Sequence, residues 1–344
     1  MSMQAETTLL PHVTQAPDRG PIADAVAEGL ASTPKWLPAW LFYDAVGSGL
    51  FEQITTLPEY YLTRTERAIF SDHAAGIIRA TLDIHVHATG TTAGKKLRML
   101  ELGAGSASKT GILLAAAVQR QGTTQYLPVD VSEAAMDEAC ESIGRVLRDV
   151  EIRPQIANYV TDPLVMPKHD GPTLSLYIGS SIGNFAPEEA IAILKNLRAQ
   201  LKPGDSLLLG TDLVKDTETL LAAYNDQSGV TAAFNLNMLQ HINRALEADF
   251  DLSRFRHQAI WNQQESRIEM HLQSTAEQYV QIPAINMQIH FNAGETIHTE
   301  NSHKFTEQSI ASLLHAAGFV PVQTWHDERK WFAVTLADVT SSNA

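Results

Sequence analysis

The chain has 344 residues, 44% of them apolar, which is enough for two ordinary domains, or one large one, with a sizeable core. Its 25 basic side chains face 39 acidic ones, a net charge of −14, and that balance argues against a nucleic-acid partner, whose phosphates demand a basic face. The lone cysteine, Cys140, excludes an intrachain disulfide and suits a reducing compartment, and no run approaches the ~18 apolar residues of a membrane span.

Residues 1–19 are polar with scattered prolines and read as loose. They contain no basic stretch followed by an apolar block, so no secretory leader and a cytoplasmic location are expected. Ile22, Ala25, Val26 and Leu30 fall at helical spacing and predict an amphipathic helix over 21–32. An aromatic-rich segment from Trp36 to Phe42 follows. Thr63 and Glu66 form a T-x-x-E capping box that should open a helix to about residue 80, with Phe70, Ala74, Ile77 and Ile78 facing inward.

From residue 97 the pattern alternates. LRMLEL (97–102), TQYLPVDV (124–131), IRPQIANYV (152–160), TLSLYIGSS (173–181) and DSLLLGTDL (205–213) read as strands, with a helix around Met136 to Leu147. Apolar runs separated by helices predict an α/β fold, a parallel sheet covered on both faces. A helix at 307–317 and the runs FVPVQTWHD and WFAVTLADV predict a terminal hairpin that makes the far sheet edge antiparallel. Residues 214–304 break the alternation. They are helical first, then meander-like, and read as a second, inserted domain joined in space by residues 12–62.

Glu101-Leu102-Gly103-Ala104-Gly105 follows the first strand of this sheet and opens a helix. Glycines at such a turn let backbone approach a ligand closely. Three ligands compete. A P-loop and a dinucleotide fingerprint each need a glycine where Ser108 stands, whereas an S-adenosylmethionine site needs an acidic residue and then G-x-G, which is present. Asp130, at the end of the next strand, is placed to accept hydrogen bonds from a ribose diol, favouring a nucleoside over a bare triphosphate. His85 and His87 invite a metal reading, but no third ligand has a supporting spacing. His257, His290, His298 and His303 are scattered, so no metal is expected.

LFYDAVGSGLFEQITTLPEYYLTRTE (41–66) resembles the histidine Nα-methyltransferases that make trimethylhistidine (hercynine) in ergothioneine biosynthesis. The resemblance runs on through ELGAGSASKT (101–110), YLPVDVS (126–132), IGSSIGNF (178–185), LLLGTDLVKD (207–216), AYNDQSGVTAAFNLNML (223–239), RIEMHL (267–272) and TENSHKF (299–305). It implies a Rossmann-like class I methyltransferase sheet with an inserted α+β substrate-binding domain. The implied parts are a flexible 1–11, a substrate domain of 12–63 and 214–304, and a cofactor domain of 64–213 and 305–344. It also implies S-adenosylmethionine as cofactor, free L-histidine as small-molecule substrate, and a monomer.

By the same resemblance Gly103, Gly105 and Lys109 lie on the cofactor, Asp130 takes the ribose, and Asn158 and Tyr159 flank the adenine. Gly179 and Asn184 lie beside the substrate amine. Tyr60, Asn184 and Tyr224 hold the amino acid, with Tyr224 on its carboxylate. Glu300 and Ser302 hold the imidazole, Tyr43 closes the amine end, and Phe51 and Met270 are apolar walls. The reaction needs alignment and a neutral amine rather than a protein nucleophile, so no dedicated base is expected: Asn184 and Tyr43 orient the amine and the proton leaves to water. Without the resemblance these residues have plainer readings. Asn184 would be a turn residue, Glu300 a solvated loop carboxylate, Met270 core, and Lys109 a surface lysine. The alternatives are a relative acting on a tryptophan-type amino acid and a non-catalytic binding module.

Overall fold

The computed structural model describes residues 20–91, 95–105, 107–160, 162 and 164–339, with only the backbone of Ala134 and Ala135. The expected flexible N-terminus lies outside the described residues. Helix α1 (Pro21–Ala31) opens with Pro21 in its first turn and buries Val26 and Leu30. A Cβ on Gly29 would stand 2.1 Å from the Trp36 carbonyl oxygen, so glycine is what lets strand β1 (Lys35–Trp36) cross the helix. Helix α2 (Ala45–Thr56) is capped by Asp44, whose carboxylate accepts from Gly47 N at 2.7 Å.

Helix α3 runs Tyr61–Thr89 and ends at Gly90 in the left-handed region. Phe70, Ala74, Ile77 and Ile78 are buried as expected. The capping box is not formed. Tyr60 is the N-cap, Thr63 lies inside the helix, and Glu66 is a fully buried carboxylate turned away from the helix end.

The alternating segment gives β2 (Arg98–Leu102), α4 (Thr110–Gln121), β3 (Thr124–Asp130), α5 (Glu133–Val146), β4 (Val150–Ile152), β5 (Gln155–Ile156), β6 (Thr173–Tyr177), α6 (Pro187–Arg198) and β7 (Ser206–Asp212). The run 152–160 is not one strand. Pro154 separates β4 from β5, and both pair with β3. Farther on come α7 (Thr217–Ala223), α8 (Val230–Leu246), β8 (Phe255–Asn262), β9 (Arg267–Ser274), β10 (Gln278–Ile282), β11 (Met287–Phe291), β12 (Thr296–His303), α9 (Glu307–Ala316), β13 (Phe319–His326) and β14 (Phe332–Val339).

The large sheet has the order β13-β14-β7-β6-β2-β3-β4, with β5 also on β3. It is parallel from β7 to β4, and the terminal hairpin adds the expected antiparallel edge. Leu100, Leu102, Leu207 and Leu209 face one apolar core, while Met99, Leu174, Leu176 and Leu208 face the other. Helices therefore cover both faces, a Rossmann-like sheet. β2 is flanked by β3 and β6, so chain order reverses there and a crevice opens at the carboxyl ends. A separate four-stranded sheet, β1-β12-β9-β8, ties the N-terminal segment to the 214–304 segment through the parallel pair β1–β12. No described helix is long and apolar enough to cross a membrane.

Candidate active site

The glycine turn sits at the carboxyl end of β2. Gly103 and Gly105 have φ of +69° and +50°, a region that side chains rarely adopt. A Cβ on Gly103 would stand 3.4 Å from the Tyr159 hydroxyl, so a side chain there would narrow the space between turn and tyrosine. Glu101 of the motif does not face this space. It accepts from Thr110 at 2.8 Å and from the Tyr126 hydroxyl, and burial pushes its carboxyl up to about 7. It anchors the root of the turn.

Asp130 ends β3 beside the turn. One carboxylate oxygen accepts from Gly105 N and the other from Ser132 N, each at 2.9 Å. Each oxygen keeps a lone pair for a diol. Asn158 closes a local turn, its side-chain oxygen accepting from Val160 N at 3.1 Å. Tyr159 packs edge-on against Tyr177, 5.7 Å between ring centroids. Open glycine backbone, an acceptor carboxylate and an aromatic wall fit the nucleoside and amino-acid halves of S-adenosylmethionine.

Lys109, expected on the cofactor, also has a partner within the protein. Its ammonium pairs with buried Glu66 and lies 3.3 Å from the position of a Cβ on Gly179. Glu66 also accepts from Gly179 N at 2.9 and 3.0 Å. A carboxylate on α3 thus joins the turn after β2 to the turn after β6.

Beyond Gly179 lies a chamber. It is lined by every residue expected on the amino-acid side: Tyr43, Phe51, Tyr60, Gly179, Asn184, Tyr224, Met270, Glu300 and Ser302. A larger open concavity around Lys35, Met287 and His290 shares none of these residues. The chamber is assembled from distant segments. The turn after β6 places Gly179 with φ +79° and Ser180 in the left-handed region, and a single turn to Asn184 follows. β9 and β12 pair Met270 with Glu300 across the second sheet. Tyr43, Phe51 and Phe234 form an edge-on aromatic group, and Tyr60 packs edge-on against both Phe51 and Tyr224.

The electrostatics are specific. Asn184 donates to Glu300 at 3.3 Å. Burial pushes the Glu300 carboxyl up to about 7, with Lys304 opposing the rise. Burial also holds Tyr43, Tyr60 and Tyr224 well above the ordinary phenol value, so all three are donors rather than bases at neutral pH.

Several participants were not expected from sequence. Fully buried Lys304 donates to Ser302 at 2.8 Å and Tyr224 at 2.9 Å, and pairs with buried Asp212 at 2.9 Å. Tyr224 and Ser302 lie 2.6 Å apart. With Lys304 donating to both oxygens, one hydroxyl proton joins the pair and the other is left for the chamber. Thr231 adds a buried hydroxyl to the lining, and Asp226 holds its backbone N at 2.8 Å. His257 has a structural place beside the chamber. It joins Asn235 to the Tyr224 carbonyl, at 2.9 and 2.8 Å. His298, expected to be isolated, is not: Glu269 and His271 lie beside it.

Residues 22–339 match the family described as histidine-specific, SAM-dependent methyltransferases. The chain belongs to this family. It is 42% identical to a histidine N-alpha-methyltransferase of Mycolicibacterium smegmatis over 312 residues, 91% of this chain and 93% of that protein. It is 28% identical to ergothioneine biosynthesis protein 1 of Neurospora crassa, over 85% of this chain and 32% of that longer protein. An L-tryptophan methyltransferase of Psilocybe serbica is 27% identical, over 90% of each chain. Family membership makes the chain an S-adenosylmethionine-dependent methyltransferase.

Proposed function

We propose that this chain transfers three methyl groups in succession to the α-amine of free L-histidine, giving the trimethylated betaine hercynine, the first step of ergothioneine biosynthesis. The observation that carries the reading is Glu300 in the chamber wall, bonded to Asn184, with Ser302 beside it on the same strand. An imidazole offers a ring N–H to a carboxylate and a lone pair to a hydroxyl, and Glu300 and Ser302 supply that complementary pair. Phenylalanine would leave both unpaired, and tryptophan would pair with one only.

S-adenosylmethionine, held at the glycine turn by Gly103, Gly105, Lys109, Asp130, Asn158 and Tyr159, would supply an electrophilic methyl carbon. The chain's own work is then to align the reacting groups. Tyr60, Tyr224 and Asn184 grip the amino acid, Gly179 leaves room beside the amine, and Phe51 and Met270 close the walls. Tyr43 and Asn184 orient the amine lone pair. Such alignment can contribute ~7–11 kcal/mol to lowering the barrier. Tyr43 keeps its proton and an amide cannot take one, so the amine proton leaves to water. The aromatic wall of Tyr43, Phe51 and Phe234 tolerates a growing ammonium cation without fixing it by hydrogen bonds.

We also propose that residues 12–63 and 214–304 act as the substrate-binding domain, with 64–213 and 305–344 as the cofactor domain. The separate sheet carrying Met270 and Glu300 supports that division. A cytoplasmic monomer without nucleic-acid or membrane partners completes the reading, supported by the acidic balance and the single cysteine. The test is mass spectrometry of histidine incubated with enzyme and S-adenosylmethionine. A gain of three methyl groups is expected, with kcat/KM for histidine above that for tryptophan. No methylated histidine, or a ratio reversed toward tryptophan, overturns the reading.

A further inference from the structure

The strands that build the chamber wall have a second face. Met270 points into the chamber, so its neighbours Glu269 and His271 point to the opposite side of the sheet. His298 stands directly across from His271 in the β9–β12 register and shares that side. The two imidazole rings stack, with centroids 4.8 Å apart and 20° between planes. One donor atom from each of Glu269, His271 and His298 lies within 4.8 Å of the other two.

We propose that Glu269, His271 and His298 form a binding site for a zinc-class divalent metal ion, on the face of the strand pair opposite the substrate chamber. Two imidazoles and one carboxylate make a donor set suited to zinc and its neighbours, not to magnesium or calcium, which take oxygen alone. Three protein ligands leave a fourth position to water.

The surroundings hold the ligands in a metal-ready state. The outer oxygen of Glu269 accepts from Asn262 at 2.9 Å and Arg267 at 2.8 Å, which fixes the carboxylate and leaves its other oxygen to His271 at 3.2 Å. Nε2 of His298 lies 3.0 Å from the Glu300 carbonyl oxygen. A carbonyl only accepts, so that nitrogen carries the hydrogen and the other keeps its lone pair, the usual support for a metal-bound imidazole. Nδ1 of His271 is buried without a hydrogen-bond partner among the described residues. All three residues are half-buried, which leaves a route for an ion.

The placement has a consequence. Ligand atoms around a tetrahedral zinc lie about 3.4 Å apart. Binding must therefore draw the three side chains closer together across the paired strands, beside the bulge between His298 and Glu300. The ion would act as a staple, remote from the methyl-transfer chemistry.

The test uses the full chain stripped with a chelator and titrated with Zn²⁺ by calorimetry and with Co²⁺ by visible absorption. One equivalent should bind at micromolar concentration or tighter, with cobalt bands of four-coordinate intensity and a raised melting temperature. His271→Gln and His298→Asn, checked for folding by circular dichroism, should each lose at least 100-fold in affinity and the melting shift. The absence of stoichiometric binding overturns the proposal. So does loose binding of several ions, or unchanged affinity in either folded variant.

Discussion

Asn184 and Glu300, 116 residues apart in sequence, meet in the chamber wall through one hydrogen bond of 3.3 Å. One was assigned to the amine of the substrate and the other to its ring. The two assignments are compatible, because only three carbons separate the amine of histidine from its nearer ring nitrogen. A single gauche conformer sets the two nitrogens side by side, where adjacent side chains can address both. Binding then exchanges one long contact for two directed ones. Asn184→Ala should lower kcat about 100-fold with a smaller change in the KM for histidine, since a misdirected amine costs alignment more than affinity. Steady-state kinetics at saturating S-adenosylmethionine measure the split.

Glu300 sets the substrate. Glu300→Ala should reduce kcat/KM for histidine by about 100-fold, the worth of one charge-assisted hydrogen bond. Adding Met270→Val, which widens the wall opposite Glu300 on β9, should raise the tryptophan-to-histidine ratio further. Competition assays with both amino acids read that ratio directly. An unchanged ratio in the double variant would remove Glu300 from the recognition scheme.

The same carboxyl predicts a pH signature in stability. Burial raises it from 4.5 to about 7. The folded chain therefore holds this proton more tightly than the unfolded chain does. Its stabilising contribution is complete below about pH 4.5 and is lost as pH rises through about 7. The loss is about 3 kcal/mol at most. Glu300→Gln keeps the shape and removes the titration, so urea unfolding from pH 5 to pH 8 should show the parent losing stability relative to the variant.

Lys304 and Asp212 form an ion pair with no exposed side-chain surface on either partner, directly behind Tyr224 and Ser302. Lys304→Met leaves a buried carboxylate with less compensation and should cost about 3–5 kcal/mol of stability. Asp212 keeps Lys215 and Tyr61 as partners, so the folded state should persist. The KM for histidine should rise because the Tyr224–Ser302 pair loses its shared donor. Chemical denaturation and histidine kinetics on the same preparation measure the two effects.

The sheet was legible because its central strands are short apolar runs between helices. Its antiparallel edge was legible from two closely spaced runs at the end of the chain. The boundaries failed where local chemistry had two meanings. Thr63-x-x-Glu66 has the spacing of a helix start, yet Glu66 is drawn inward by Gly179 N and Lys109, partners 113 and 43 residues away. Residues 152–160 read as one strand until Pro154 divides them. The chamber residues were legible only through long family motifs, since a lone Glu300 or Asn184 has a commoner surface role. Lys304 stands inside TENSHKF but carries no local sign of burial, because a lysine is ordinarily solvated. The His271–His298 pairing depends on strand register, which spacing along one strand does not contain.

The central claim is geometric: one small zwitterion held at both ends, with its lone pair aimed at a sulfur-borne carbon. A crystal structure of the chain with S-adenosylhomocysteine and L-histidine tests it most directly. The account predicts a ring nitrogen within hydrogen-bond reach of Glu300 and the α-amine beside Asn184 and Tyr43, facing the sulfur. A ring bound away from Glu300, or an amine directed away from the sulfur, would contradict it.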